Sequence, residues 1–160
     1  MGGKELSRED IEQVLPHRRP FLFLESAVIV EPGKRATGKL TDLTHPDFSY
    51  LRGHFPGLPI FPGALLMETL AELAGVAAAS SDMPSHEGKV GVLTEDQMKY
   101  RQAISPAEAH LVDLEAEIIT LRSRGGSALV RALKEGRLAV EGEITFLMVD
   151  RSKFLPQSSE

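Results

Sequence analysis

The chain has no cysteine among its 160 residues, which excludes disulfide bonds and thiolate chemistry and permits a reducing cytosol. Positive charge is outweighed by negative charge, with 18 Lys and Arg against 23 Asp and Glu and a net charge of −5. Nucleic-acid binding depends on a surplus of positive charge, so we do not expect a nucleic acid as the main partner. An acidic partner would need a local basic patch.

Long hydrophobic runs are absent as well, and no stretch has the length and flanks of a membrane span. The first seven residues, Met-Gly-Gly-Lys-Glu-Leu-Ser, contain no apolar segment typical of a secretion signal. We therefore expect a cytoplasmic protein with no membrane partner. A phosphate-binding glycine loop, a dinucleotide fingerprint and clustered metal ligands are also missing from the sequence, so we expect neither a cofactor nor a metal site.

The composition is sufficient for one hydrophobic core. Apolar residues make up 42% of the chain and charged residues 26%, which are ordinary values for a globular protein. A chain of this length can bury a core without help from metals or disulfides. We predict a single domain over residues 1–160, with frayed tails at 1–6 and 151–160.

A loop rich in proline and glycine leads directly into the most apolar helix-forming segment of the chain. The loop covers residues 53–63, Gly-His-Phe-Pro-Gly-Leu-Pro-Ile-Phe-Pro-Gly, and the helix is predicted over 64–79. Pro62 suits the first turn of a helix, where no intrahelical N–H is required. Apolar residues fall on nearly every face, which predicts a buried helix. Three residues interrupt the apolar surface: Glu68, Thr69 and Glu72.

The segments around this helix predict an antiparallel sheet. Ser7, followed by acidic residues, predicts the start of a short helix that ends before Pro16. Turn residues divide the rest of the chain into runs rich in β-branched and aromatic residues. The predicted strands cover 21–31, 35–43, 89–93, 109–121, 127–134 and 137–149, with 95–102 as an edge strand or irregular stretch. A sheet wrapped around one helix would satisfy the burial of both.

Three residues of the loop and helix could form a reaction site. His54 belongs to the residue type best suited to act as a general base near neutral pH. Gly63 lies at the expected helix N-terminus, where free N–H groups and the helix dipole favour a developing oxyanion. Glu68, if burial keeps it protonated, could act as a general acid. Taken singly, each residue also has a structural explanation as a turn histidine, a helix-entry glycine or an interface carboxylate.

The loop and helix resemble the FabZ-type 3-hydroxyacyl-[acyl-carrier-protein] dehydratases. That family has a Gly-His-Phe-Pro-Gly-x-Pro-Ile-x-Pro-Gly run followed five residues later by Glu, and His54, Gly63 and Glu68 match its spacing. A second segment over 15–25, Leu-Pro-His-Arg-Arg-Pro-Phe-Leu-Phe-Leu-Glu, is similar to another family motif. Glu rather than Asp at position 68 favours this type over the related dehydratase-isomerase.

The resemblance implies an α+β hot-dog fold, in which an antiparallel sheet wraps around a long central helix. It implies dehydration of 3-hydroxyacyl thioesters to trans-2-enoyl thioesters in fatty acid, related acyl or polyketide biosynthesis. It further implies a homodimer, and in many members a trimer of dimers, in which His54 of one protomer meets Glu68 of its neighbour. A monomer would then be inactive.

The implied partner is acyl carrier protein, which is acidic and delivers the acyl chain on a phosphopantetheine arm. By charge alone its contacts could be Arg18, Arg19, Arg101, Arg122 and Arg124, although a solvated face explains each equally simply. The acyl chain needs an apolar tunnel. The candidate substrate-binding residues are Phe55, Pro56, Gly57, Ile60, Phe61, Pro62, Leu65, Leu66 and Glu72. The apolar members of this set could instead belong to the core.

Several residues depart from the family pattern. Glu72 stands where the family usually has Gln, one helical turn after Glu68, and two carboxyls facing one pocket would raise each other's pKa or share a proton. Arg19 replaces the usual Tyr. The approach to His54 is longer than usual, and the extra residues of 44–52 could form a lid or alter the tunnel entrance. These changes predict a divergent paralogue.

Some interpretations remain open from the sequence alone. His17, in the second motif, is either structural or has a supporting role at the active site. A hot-dog thioesterase would use a carboxylate-activated water and would not require His54. A non-catalytic acyl-binding or dimer-partner homologue would tolerate loss of His54 or Glu68, and both residues are present.

Overall fold

One long helix lies against a seven-stranded antiparallel sheet in this computed structural model, which describes residues 2–83 and 86–154. The helices are α1 (Arg8–Val14) and α2 (Gly63–Ala79). The strands are β1 (Lys4–Leu6), β2 (Leu24–Glu31), β3 (Arg35–Leu40), β4 (Lys89–Tyr100), β5 (Val112–Arg122), β6 (Gly125–Lys134) and β7 (Arg137–Asp150). Their order in the sheet is β1-β2-β3-β5-β6-β7-β4, with every neighbouring pair antiparallel. The predicted α+β hot-dog architecture is therefore confirmed.

The central helix is buried because apolar side chains occupy almost all of its faces. Leu70, Leu73 and Ala77 have no exposed surface, and Leu66 and Val76 have almost none. They pack against the apolar face of the sheet, mainly on β2, β3, β5 and β6. Each buried leucine contributes about 1.5–3 kcal/mol of hydrophobic free energy. This packing fixes the position of α2 and of the residues on it, among them Gly63, Glu68 and Glu72.

The strands alternate between the core and the outer face, as the period of a pleated sheet requires. In β5, for example, Val112, Leu114 and Ala116 are buried, whereas Asp113 is exposed and Glu115 only partly covered. The β5–β6 and β6–β7 hairpins follow the predicted turns closely. None of the helices in the described ranges is long and apolar enough to cross a membrane.

Two sequence predictions about the ends of elements are corrected. The N-terminal segment, predicted to fray, contains β1, because the backbone of residues 4–6 pairs with β2 in a register from Lys4↔Ile29 to Leu6↔Ala27. The predicted strand at 109–121 begins only at Val112, because Pro106–Leu111 form a 3₁₀ turn capped by Ser105. In the C-terminal tail, Arg151–Phe154 form a 3₁₀ turn, and residues 155–160 lie outside the described residues.

The capped start of α1 is as predicted. The Ser7 hydroxyl accepts a hydrogen bond from the Asp10 N–H at 3.2 Å, and the Ser7 N–H donates to the Asp10 carboxylate at 2.9 Å. This reciprocal capping box satisfies two groups that the helix itself cannot pair. After Val14 the chain leaves the helix and runs over α2 before it enters β2.

Strand β4 forms a long edge of the sheet. It is one continuous strand of 12 residues with an irregularity between Leu93 and Glu95, so of the two interpretations of 95–102 the edge strand is confirmed as far as Tyr100. Within the described chain it pairs with β7 alone, and most of its residues are exposed. Such an edge presents unpaired backbone N–H and C=O groups to any further strand.

Candidate active site

His54 is held by the loop that precedes α2. Its Nδ1 lies 2.8 Å from the Ile60 carbonyl, and the Ile60 N–H donates to the His54 carbonyl at 2.7 Å. Because a carbonyl can only accept, Nδ1 must carry the hydrogen of this bond. In the neutral ring the lone pair is then on Nε2. The ring also stacks on Phe55 with centroids 4.2 Å apart. His54 is thus prepared to accept a proton at a defined atom.

Gly63 is the first residue of α2, directly after Pro62. The first-turn N–H groups of a helix have no intrahelical acceptor and lie at the positive end of its dipole. A Cβ atom at position 63 would come within 2.9 Å of the Tyr100 ring, at the end of β4. The position therefore requires glycine as long as Tyr100 keeps its place.

Gly63→Ala is accordingly expected to destabilise the fold by about 1 kcal/mol, because the added methyl group must displace the half-exposed ring of Tyr100. The free energy of unfolding from urea titration measures this. Tyr100→Ala in the same chain should restore most of the loss. Gly53→Ala is the matched control, since nothing lies within 4 Å of a Cβ atom at that loop position. An equal loss in both glycine variants would contradict the contact with Tyr100.

Glu68 lies in the second turn of α2 with about a quarter of its side chain exposed. Its Oε1 is 3.0 Å from Nε2 of His17, which belongs to the segment between α1 and β2. This contact joins residues 51 positions apart. It favours the interpretation in which His17 supports the active site. Among the described contacts of this single chain, none joins Glu68 to His54.

Glu72 lies one turn further along α2 and is only 1% exposed. One carboxyl oxygen, Oε2, accepts a hydrogen bond from the Phe23 N–H at 3.1 Å. The other, Oε1, is buried and has no hydrogen-bond partner in the described chain. Burial raises the pKa of Glu72 to about 9, the Phe23 N–H opposes this, and the nearby Glu68 charge adds to it. Glu72 is therefore neutral at pH 7.

His17, Glu68 and Glu72 form a compact cluster, in which one side-chain nitrogen or oxygen of each lies within 4.8 Å of the others. Three such atoms could in principle approach a cation. The His17–Glu68 contact and the proton on Glu72 account for the cluster without one, and we assign no metal to it.

Comparison with known proteins identifies the family. A FabA-like domain model matches residues 15–149. The chain is 40% identical over 150 residues to a 3-hydroxyacyl-[acyl-carrier-protein] dehydratase FabZ of Acetivibrio thermocellus, covering 92% of this chain and 98% of the relative. A FabZ of Chloroflexus aggregans is 37% identical over 150 residues, covering 92% and 99%. The chain belongs to the FabZ-type dehydratases of the FabA-like family. The predicted family is confirmed.

Solved structures support the same fold at much lower sequence identity. The dehydratase heterocomplex ApeI:P from Xenorhabdus doucetiae matches with a TM-score of 0.70 and 16% identity over 90% of this chain and 93% of that one. A mutant thioesterase PA1618 from Pseudomonas aeruginosa matches with a TM-score of 0.56 and 14% identity over 88% and 94%. At these identities the likeness shows the hot-dog fold alone.

The substrate-binding candidates of this FabZ-type chain divide into core and surface residues. Phe61 and Leu66 are each 3% exposed, and the Phe61 ring packs 5.4 Å from that of Phe23. Both therefore belong to the core, the alternative left open by the sequence. Other candidates remain accessible in part or in full: Phe55, Pro56, Gly57, Ile60, Pro62 and Leu65. Glu72 faces inward, under the pair formed by His17 and Glu68.

The extra residues before His54 do not form a separate lid in this FabZ-type chain. They fold as a 3₁₀ segment, Pro46–Gly53, whose Phe48 and Leu51 are buried in the core. Arg19 holds this segment in place, because its guanidinium lies 5.5 Å from the centre of the Phe48 ring and 3.9 Å from the Asp47 carboxylate. The same guanidinium donates to the Thr41 hydroxyl at 2.7 Å.

Three of the five arginines considered for carrier-protein binding already have partners within the fold. Arg18 donates to the carbonyls of Glu12, Leu15 and His17 near the end of α1. Arg19 holds the 3₁₀ segment, and Arg101 pairs with Glu141. Within residues 2–83 and 86–154, the side chains of Arg122 and Arg124 are the only ones of the set that form neither a hydrogen bond nor an ion pair.

Proposed function

We propose that this protein removes water from 3-hydroxyacyl thioesters carried by acyl carrier protein and releases trans-2-enoyl thioesters. The curated FabZ relatives support this reaction over nearly the whole chain. The observation that carries it is the state of His54, whose Nδ1 is bound by the Ile60 carbonyl so that Nε2 is free to take a proton. A thioesterase would need no such histidine, and the likeness to thioesterases is confined to the fold.

The reaction follows from three groups. The thioester carbonyl accepts hydrogen bonds from the first-turn N–H groups of α2, including that of Gly63, which stabilise the enolate-like charge. Nε2 of His54 removes the α-proton, and protonated Glu68 gives its proton to the departing hydroxyl, which leaves as water. Each proton-transfer group contributes about 10²–10⁴ in rate and the oxyanion donor about 10²–10³. The cycle closes when a proton returns from His54 to Glu68 through solvent.

The proposed active unit is a homodimer, and the proposed larger assembly is a trimer of such dimers. Among the described contacts of one chain, Glu68 meets His17 and not His54, which supports a base supplied by the other protomer. The long unpaired edge of β4, which ends at Tyr100 beside Gly63, supplies backbone groups for a sheet continuous across two copies.

The proposed partner is acyl carrier protein, as in the names of the curated relatives. Arg122 and Arg124, on the β5–β6 hairpin, remain the arginines best able to meet an acidic surface. We propose that one domain carries the whole activity and that it acts in the cytoplasm, which the absence of cysteine permits.

The reverse reaction gives the most direct test. The protein is incubated with crotonyl-loaded acyl carrier protein, and the loss of enoyl absorbance is followed together with the release of free thiol. Hydration without thiol release is the expected result. Thiol release without hydration would replace the proposal by a thioesterase. No reaction over a series of chain lengths, with a folded dimer, would favour a non-catalytic partner.

A further inference from the structure

The buried carboxyl of Glu72 has a hydrogen-bonding capacity that the mechanism above does not use. Its Oε2 is satisfied by the Phe23 N–H, whereas Oε1 is buried and without a partner in the described chain. An ionised carboxylate in this position would carry uncompensated charge, which is costly. A neutral carboxyl group avoids that cost but has a hydroxyl hydrogen that needs an acceptor.

The groups around Glu72 are mostly donors or already paired, and two acceptors remain among the described residues: the Glu68 carboxyl and Nδ1 of His17, which is buried without a partner. From the start of β2, the backbone N–H groups of Phe23 and Leu24 are donors. From the 3₁₀ segment comes the hydroxyl of Tyr50, which already donates to the Pro20 carbonyl. From the segment after α1 comes His17, and from α2 itself Glu68, both within the 4.8 Å cluster. Since Nε2 of His17 faces Glu68, Nδ1 on the other side of that ring is turned away from this contact, and the carboxyl oxygens of Glu68, one turn away on the same helix, are the acceptor we assign to Glu72.

We propose that Glu72 is a positioning residue that keeps its proton and donates a hydrogen bond to a carboxyl oxygen of Glu68, holding that group between Glu72 and His17. This inference rests on the proposed function, because it concerns the acid of that reaction. The carboxyl groups of Glu68 and Glu72 already lie within 4.8 Å of each other. Glu68 is a quarter exposed and can adjust its rotamer, whereas Glu72 is fixed by burial and by Phe23. The proton of Glu72 is not transferred in the reaction.

Such a hydrogen bond would act when Glu68 gives its proton to the departing hydroxyl. Negative charge then develops on the Glu68 carboxylate, and two donors aimed at that charge stabilise it. The Gln that the FabZ family usually has here would also be a neutral donor. Only Glu can ionise, and at alkaline pH an ionised Glu72 would lose its hydrogen and repel Glu68.

The kinetic test compares Glu72→Gln, which keeps a neutral donor, with Glu72→Met, which has none. We expect Glu72→Met to lower kcat by about 10²-fold with a much smaller change in KM, the loss typical of one donor aimed at developing charge. Glu72→Gln should recover most of that loss. The part of the alkaline fall of kcat that ionisation of Glu72 causes should be absent in Glu72→Gln, whereas any fall that follows from loss of the Glu68 proton remains in both proteins. Thr69→Val, another buried polar replacement on α2, is the control and should leave kcat within about twofold.

Difference infrared spectroscopy of wild type minus Glu72→Gln shows whether the Glu72 carboxyl is protonated, and it requires no turnover of substrate. We expect the C=O band of a protonated carboxylic acid at pH 7, and this band should shift in Glu68→Gln because its acceptor changes. Absence of the band at pH 7 would overturn the inference. A band whose position is unchanged in Glu68→Gln would also overturn it, and so would equal kcat in wild type and Glu72→Met. If no thioester is turned over, the proposed function fails, and the band and its dependence on Glu68 still decide the inference.

Discussion

Replacement of His54 by Ala, or of Glu68 by Gln, is expected to lower kcat for the thioester reaction by about 10²- to 10⁴-fold, because each removes one of the two proton-transfer groups. His54 Nε2 is the free nitrogen of a ring whose Nδ1 is held by Ile60. Steady-state hydration of the crotonyl thioester measures the loss. His110→Ala, at an exposed position within the 3₁₀ turn Pro106–Leu111, is the matched histidine control and should retain activity.

Mixing the two inactive variants tests whether the acid and the base come from different protomers. After random re-pairing, half of the dimers contain one chain of each kind, and each of these has one intact site. About a quarter of wild-type activity should therefore return. Mixed dimers that are demonstrably formed but show no activity would place His54 and Glu68 in the same chain instead.

Glu72→Gln is expected to change how stability depends on pH. The folded pKa of Glu72 is raised from 4.5 to about 9, so the folded chain holds a proton that the unfolded chain releases above about pH 4.5. Wild-type stability gained from the neutral carboxyl is complete at low pH and is lost as the pH rises towards 9. The slope is about 1.4 kcal/mol per pH unit within that window. Glu72→Gln has no such titration. Its free energy of unfolding relative to wild type should therefore rise by about 1.4 kcal/mol for each pH unit in this window.

Urea unfolding of wild type and Glu72→Gln at pH 5, 6, 7 and 8 measures this difference. Protein concentration must be held constant, because dissociation of an oligomer contributes to the apparent stability. Glu143→Gln, an exposed replacement on β7, controls for the loss of a carboxyl group as such. Parallel curves for wild type and Glu72→Gln would mean that Glu72 is already ionised in the folded protein.

The parts of the site that the sequence predicted are those set by local geometry. Gly63 and Glu68 belong to one helix, so their spacing is set locally, whereas the proposed meeting of Glu68 with His54 requires a second protomer. The i, i+4 relation of Glu68 and Glu72 is likewise a property of the helix. The central helix was predictable from its run of helix formers after Pro62, and the later hairpins from strand alternation and turn residues.

The parts that sequence reasoning missed depend on contacts between distant segments. His17 reaches Glu68 only because the chain after α1 packs over α2, 51 positions away in sequence. The inward direction of Glu72 follows from its bond to Phe23 and could not be read from its spacing. β1 was missed because three residues held by backbone pairing leave almost no side-chain pattern. A signal for His17 was its place in the second family motif.

Arg19 connects two departures from the family pattern: the arginine in place of tyrosine, and the longer segment before His54. The arginine lies over Phe48 and beside Asp47, both in the segment that lengthens the approach to His54. Tyrosine at position 19 would leave that segment without its anchor, and a shorter segment would leave the arginine without these partners. Among relatives, the residue at this position and the length of the loop should therefore covary. A chimera that exchanges one without the other should fold less well than one that exchanges both.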